Sequence, residues 1–303
     1  MAMHNKTARF RSVQLNQAGS IYHEPTPRWY RAWASPTADV ASAEPVLDGK
    51  DLSIVWEDCG PTPYVAFPKS LIPFDAAKPA GRHFFRENPK KRDPTNFPRS
   101  GNLASVFYDL ISADTGLVVA PFAAWTWDAD TTSDISFPHA YPSGKSPLTF
   151  LVGVDEHAFG TWFEEGEKLI PGGHVKDPYH RVDAVKSNRH VQIYALNGTL
   201  LAESKHPTIV FETGLVNRYY LPRSDVINPD VVLSKELTGL TTVCPYKGVA
   251  EYHDVIVGEE VLKNQVWTYR NPLDEAGKIK DLLAFYVPGP NFRLVVEGEE
   301  VKQ

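Results

Sequence analysis

Five short segments of this chain occur twice, in the same order. "IVWED" from Ile54 resembles "IVFET" from Ile209, and "FPKSLI" from Phe67 resembles "LPRSDV" from Leu221. "AAWTW", ending at Trp127, resembles "NQVWTY", ending at Tyr269. "LTFLVGV" from Leu148 resembles "IKDLLAF" from Ile279, and "FEEGEK" from Phe163 resembles "VVEGEE" from Val295. Unrelated strands produce one or two such matches by chance, whereas five in order point to a duplicated domain. A length of 303 residues suits two domains. The first, diverged copy is expected at residues 1–164 and the second at 165–303, with the Gly- and Pro-interrupted stretch "IPGGHVKDPYH" just past the boundary.

The local pattern predicts strands rather than helices. In "HVQIYALNGTLLAES", Val191, Ile193 and Ala195 alternate with Gln192 and Tyr194, and Asn197-Gly198 supplies a type I′ hairpin turn. "PTIVFET", "RYYLP", "NQVWTYRNP" and "LLAFYV" read as further strands, and "FRLVVEGEEV" as a strand turning at Glu297-Gly298. The 25 prolines and 20 glycines cut the chain into short segments, so the expected class is mainly β, two related small twisted β-sheet or barrel domains with long ordered loops.

Composition removes several function classes. The net charge of −6 and the lack of a sustained basic run argue against nucleic acid, the densest basic stretch being "PKKRDP" at Lys90, Lys91 and Arg92. Two cysteines, Cys59 and Cys244, exclude a disulfide framework and a four-thiolate zinc site. No apolar leader core opens "MAMHNKTARFRSVQLNQ" and no long apolar run follows, so a cytoplasmic protein without a membrane partner is expected, and the sequons at Asn5 and Asn197 carry little weight. No P-loop, dinucleotide fingerprint or serine-hydrolase elbow occurs, and no cofactor is expected. Plentiful aromatics (15 Phe, 13 Tyr, 7 Trp) suit a pocket for a small molecule.

The two copies differ where chemistry is densest. The second has "CPYKGVAEYHD", and the first has "FPRSGNLASVFYD", Phe97–Asp109, in its place. The strand and its final Asp survive, while the Cys-Pro-Tyr-Lys cluster is found only in the second copy. Purely architectural residues would be needed in both, so the asymmetry points to a site in the second half or in a cleft between domains.

The stretches "DPYHRVDAVKSNRHV", "AESKHPTIVFETGLVNRYYLP", "TTVCPYKGVAEYHDV" and "QVWTYRNP" together resemble the domain-of-unknown-function family 427. The resemblance covers the second copy over its length and the first weakly, which implies a tandem form. It also implies a β-tent type of fold. Related tent domains hold zinc on paired CxxC knuckles; this chain has none, so that zinc is not carried over. The family supplies no reaction, and function rests on the residues.

Catalytic candidates are His180, Glu212 and Cys244. Cys244 is either a nucleophile activated by Lys247, three residues on, or a structural thiol. His180 is an acid/base group or a loop anchor together with Asp177, Arg181 and Asp183. Glu212 follows the apolar run "TIVF" and is a general base if buried, or the cross-strand partner of Arg218. Substrate-binding candidates are Arg189 and Arg218 for a carboxylate, Tyr220 and Tyr252 as hydroxyl donors, Trp267 as a wall beside Tyr269, and Lys247 as an anion binder, with Gly248 permitting close approach of the ligand. The leading expectation is a cofactor-independent enzyme doing acid/base chemistry on a small organic molecule. A non-catalytic binding or scaffold protein is the alternative, and a metal-dependent enzyme using His174, His180 and His190 is a third reading.

Overall fold

The computed structural model describes residues 20–50, 52–57, 63–90, 104–127, 133–136, 147–171 and 174–302. The N-terminal stretch, Cys59, Lys91 and Arg92, and residues 97–103 lie outside the described residues. The chain divides into two compact units, Met1–Asp177 and Pro178–Gln303. The boundary expected at 164/165 falls inside a hairpin of the first unit, between Thr161–Glu164 and Glu167–Lys168.

The first unit contains β1 (Ser20–Thr26), β2 (Tyr30–Trp33), β3 (Leu47–Gly49), β4 (Leu52–Glu57), β5 (Tyr64–Pro68), β6 (His83–Asn88), β7 (Val106–Ser112), β8 (Val118–Thr126), β9 (Ser133–Ser136), β10 (Leu151–Val154), β11 (Thr161–Glu164) and β12 (Glu167–Lys168). The second contains β13 (Val182–Lys186), β14 (Val191–Ala195), β15 (Leu200–Ser204), β16 (Thr208–Glu212), β17 (Arg218–Leu221), β18 (Thr241–Cys244), β19 (Gly248–Val257), β20 (Glu260–Thr268), β21 (Leu283–Phe285), β22 (Phe292–Val296) and β23 (Glu299–Val301). The protein is mainly β, as the alternation and turn residues predict.

Each unit pairs a large sheet with a four-stranded one. In the second unit the large sheet runs β13-β16-β17-β21-β20-β19-β18 and the small one β15-β14-β22-β23. In the first, the order from β1 is β1-β4-β5-β10-β8-β7-β6, with β9 added parallel outside β1, and the small sheet is β3-β2-β11-β12. The strand order is the same in both units, and all five repeated segments fall on corresponding elements. Finer features match too. Phe122 and Asn264 both have positive φ, and each donates its N–H to an aspartate at the bulge of the neighbouring strand, Asp109 at 2.9 Å and Asp254 at 2.8 Å. Asp109 and Asp254 are the final aspartates of the two compared stretches.

The second unit's main core lies between its sheets. Val191, Ile193, Leu201 and Leu294 from the small sheet meet Ile209, Tyr219, Leu221, Val255, Val266, Leu283 and Phe285 from the large one. β-Branched and aromatic residues at every second position make these strands two-faced. Each fully buried side chain of this size contributes about 1.5–3 kcal/mol.

The two hairpins of the small sheet turn differently. Glu297 and Gly298 both have positive φ, and β22 and β23 join through the two-residue turn expected there. Asn197-Gly198 does not form the expected type I′ turn. Only Gly198 has positive φ, Ala195 N–H bonds Thr199 O at 2.8 Å, and the register shifts after Ile193. A longer loop with glycine in the left-handed position closes this hairpin with a bulge.

Candidate functional site

The second face of the unit's large sheet carries the chemistry. Alternation turns Val210, Tyr220, Ala250, Tyr252, Trp267 and Ala284 away from the main core and into a cluster of their own, joined by Tyr269 and capped by Ala276 and Ile279 from the 3-10 turn Asp274–Ile279. The same period of two puts Glu212, Arg218, Thr242 and Cys244 on this face. Tyr220 and Trp267 are buried, and the Trp267 Nε1–H donates to Tyr220 Oη at 3.0 Å. Trp267 also packs on Tyr286, with ring centroids 4.6 Å apart.

The ionic centre of this face bridges the sheet's two edge strands. Glu212 ends β16. His180 stands just before edge strand β13, held there by Arg181, whose N–H donates to Thr213 Oγ1 at 2.9 Å and whose carbonyl accepts Thr213 N–H at 3.0 Å. His180 Nε2–H then donates to Glu212 Oε1 at 3.1 Å. Lys247 arrives from the opposite edge, in the turn joining β18 to β19, and its ammonium pairs with Glu212 Oε2. Tyr246 in that turn stacks on the His180 ring at 4.3 Å between centroids. Seven strands thus curl until their first and last edges meet across His180, Glu212, Tyr246 and Lys247.

Gly248 makes the Lys247 turn possible. Its φ is +113°, and an added Cβ would lie 3.2 Å from Asn271 O and 3.3 Å from Pro272 Cα. Lys247 O accepts Leu273 N–H at 3.0 Å. The space expected to admit a ligand is therefore filled by the chain's own backbone.

Electrostatics follow from this packing. Burial pulls the Glu212 carboxyl upward, but the His180 hydrogen bond and the Lys247 charge outweigh it and hold the group below its ordinary range. Burial pushes the Tyr220 and Tyr269 hydroxyls up. Tyr286 is pushed up to about 12 by burial and its hydroxyl contact with Tyr252 at 3.5 Å. Tyr252 in turn shares a 2.7 Å hydrogen bond with Thr242.

The candidate residues from the sequence separate clearly. His180, Glu212 and Lys247 come together, and Cys244, Arg218, Tyr220, Tyr252 and Trp267 share their sheet face. Cys244 is a half-buried free thiol. The expected Arg218–Glu212 pair does not form: the register sets Arg218 opposite Val210, one same-face position from Glu212. Arg218 instead donates to Val287 O at 2.9 Å. Lys247, expected to bind an anionic ligand, is committed to Glu212. Arg189 is exposed in the loop between β13 and β14, and among the described residues only its backbone N–H is engaged, with Ser187 Oγ at 3.2 Å.

The three histidines proposed for a metal have separate partners: His174 Nδ1 contacts Val175 O at 2.7 Å, His180 bonds Glu212 and His190 bonds Glu203 at 2.6 Å. Among the described residues, no three His, Cys, Asp or Glu groups are placed to hold a metal ion. Tyr246 entered the sequence reading only as part of the Cys-Pro-Tyr-Lys cluster, and Tyr286 and Thr242 were not singled out. The 3.6-residue and two-residue periods do not reveal Tyr246, because it reaches His180 from a turn.

In the first unit, Glu57 stands where Glu212 stands in the second. Its Oε1 accepts the Tyr64 hydroxyl and the Trp127 indole N–H, each at 2.8 Å.

Residues 183–297 match the family model described as Domain of unknown function (DUF427). The match lies within the second unit. The DUF427 match holds Glu212, Arg218, Cys244, Lys247 and the aromatic face, while His180 lies just before its first residue. No curated protein matches the chain. Among the described residues no helix is long and apolar enough to cross a membrane.

Proposed function

We propose that the DUF427 domain is a cofactor-independent enzyme doing acid/base chemistry on a small organic molecule: isomerisation, cyclisation, dehydration or hydrolysis. The observation that carries this reading is the His180–Glu212 hydrogen bond beside an aromatic sheet face. Glu212 is held ionised, which makes it a weak base and a good orienting group. It fixes the imidazole with Nε2–H inward. His180 Nδ1 makes no hydrogen bond among the described residues, so its lone pair is left to take a proton from a substrate. His180 is the acid/base group, Glu212 and Lys247 are positioning residues, and Cys244 and Trp267 form pocket wall.

We also read the shared strand order and the five repeated segments as an internal duplication in tandem. The first unit is then a diverged copy whose carboxylate, Glu57, accepts the Tyr64 hydroxyl and the Trp127 indole N–H. The same reading has the protein cytoplasmic, with a small-molecule partner rather than nucleic acid or membrane.

The test is incubation of the protein with a protein-free metabolite extract in D2O, read by mass spectrometry. Deuterium uptake, or gain or loss of water, in a compound only when the protein is present supports the enzyme. No compound changing mass leaves the binding-protein reading, which the closed Glu212–Lys247 pair favours.

A further inference from the structure

Arg218 differs from the other arginines of the second unit. Arg181, Arg223, Arg270 and Arg293 each pair with a carboxylate near the surface. Arg189 is exposed to water. Arg218 is half-buried, and among the described residues it has no carboxylate partner. One Nη1–H goes to Val287 O at 2.9 Å, and the guanidinium lies over Trp267 and Tyr286 at 5.6 and 5.9 Å from the ring centroids. Burial lowers its pKa, and the nearby Glu212 charge, which acts the other way, does not offset it.

A guanidinium in that position is costly unless something negative completes it. Its planar fork suits a carboxylate in bidentate geometry. The Tyr286 hydroxyl, 3.5 Å from that of Tyr252, belongs to a ring this guanidinium covers. Trp267 and Tyr286 add flat apolar walls.

We infer that Arg218 binds the carboxylate of a small organic acid whose flat, unsaturated body lies along Trp267 and Tyr286, reaching toward His180. The inference deepens the proposed acid/base function and rests on it for the direction of the substrate. Arg218 lies opposite Val210, so Glu212 is its diagonal neighbour, about 7–8 Å away across the sheet.

The probes are trans-cinnamate and its neutral amide, cinnamamide, with inorganic phosphate as a competing anion. Binding is followed by ligand-observed saturation-transfer NMR on the full chain. Cinnamate is expected to bind at least about tenfold more tightly than the amide, the worth of a charge-assisted hydrogen-bond pair. Arg218→Gln should lower cinnamate to the level of the amide, and Arg218→Lys should restore part of the difference. Phosphate should displace cinnamate poorly.

The inference is overturned if the amide binds as well as the acid, if folded Arg218→Gln binds cinnamate like the unmodified chain, or if phosphate competes equally. Absence of cinnamate binding at about 10 mM overturns it as well. His180→Gln keeps the two proposals apart. Arg218-dependent binding that survives this change, with no compound transformed in D2O, would sink the acid/base function and leave the carboxylate site standing.

Discussion

Lys247 and Glu212 stand 35 residues apart in the chain, yet their side chains, 9% and 7% exposed, form an ion pair between the turn at one edge of a curled sheet and the strand next to its other edge. The pair does two things. It closes the seam of the sheet, and it keeps Glu212 ionised beside His180.

Removing the ammonium exposes the first role. Lys247→Met leaves a buried carboxylate with His180 alone, and loss of one partner from such a pair typically costs about 3–5 kcal/mol. The urea midpoint of the second unit should fall accordingly. Adding Glu212→Gln should recover a large part of the loss, because the uncompensated charge is then gone.

The pH dependence of stability follows from the depressed Glu212 carboxyl. Its folded value lies below the ordinary 4.5. The stabilisation is therefore complete above that ordinary value and is lost as pH falls through the lower folded value. The stability gap between the unmodified chain and Glu212→Gln should be constant at neutral pH and shrink below about pH 4.5. Parallel denaturation curves across the acid range check this.

Gly248→Ala strains the turn that delivers Lys247. The backbone is at φ +113° and the new methyl would press on Asn271 and Pro272. A loss of about 1–3 kcal/mol is expected in thermal unfolding.

Trp267→Phe removes the indole N–H that satisfies the buried Tyr220 hydroxyl. The unmet group should cost about 1–3 kcal/mol. Trp267→Phe combined with Tyr220→Phe should cost less than the two single changes together.

Much of the sheet architecture was legible in sequence because alternation marks which residues share a face. Arg218 with Tyr220, and Trp267 with Tyr269, were placed on common faces that way. Partner choice was less legible. Arg218 and Glu212 have the right charges and neighbouring strands, but register, which depends on the whole sheet, sets Arg218 opposite Val210. The Lys247–Glu212 pair and the Tyr246–His180 stack were hidden for another reason. They join the two edge strands, and no local pattern reports that a sheet has curled far enough for its edges to meet. The asymmetry of the Cys-Pro-Tyr-Lys cluster did mark the right turn, although the lysine serves the carboxylate rather than a ligand.

In the proposed function, His180 transfers the proton. It is tested most directly by measuring turnover, in D2O, of the compound the protein transforms, using His180→Gln alongside the unmodified chain and confirming equal melting curves. Loss of about 100-fold or more in rate, with substrate still bound, is the predicted result. Turnover unchanged in folded His180→Gln would rule out His180 as the acid/base group.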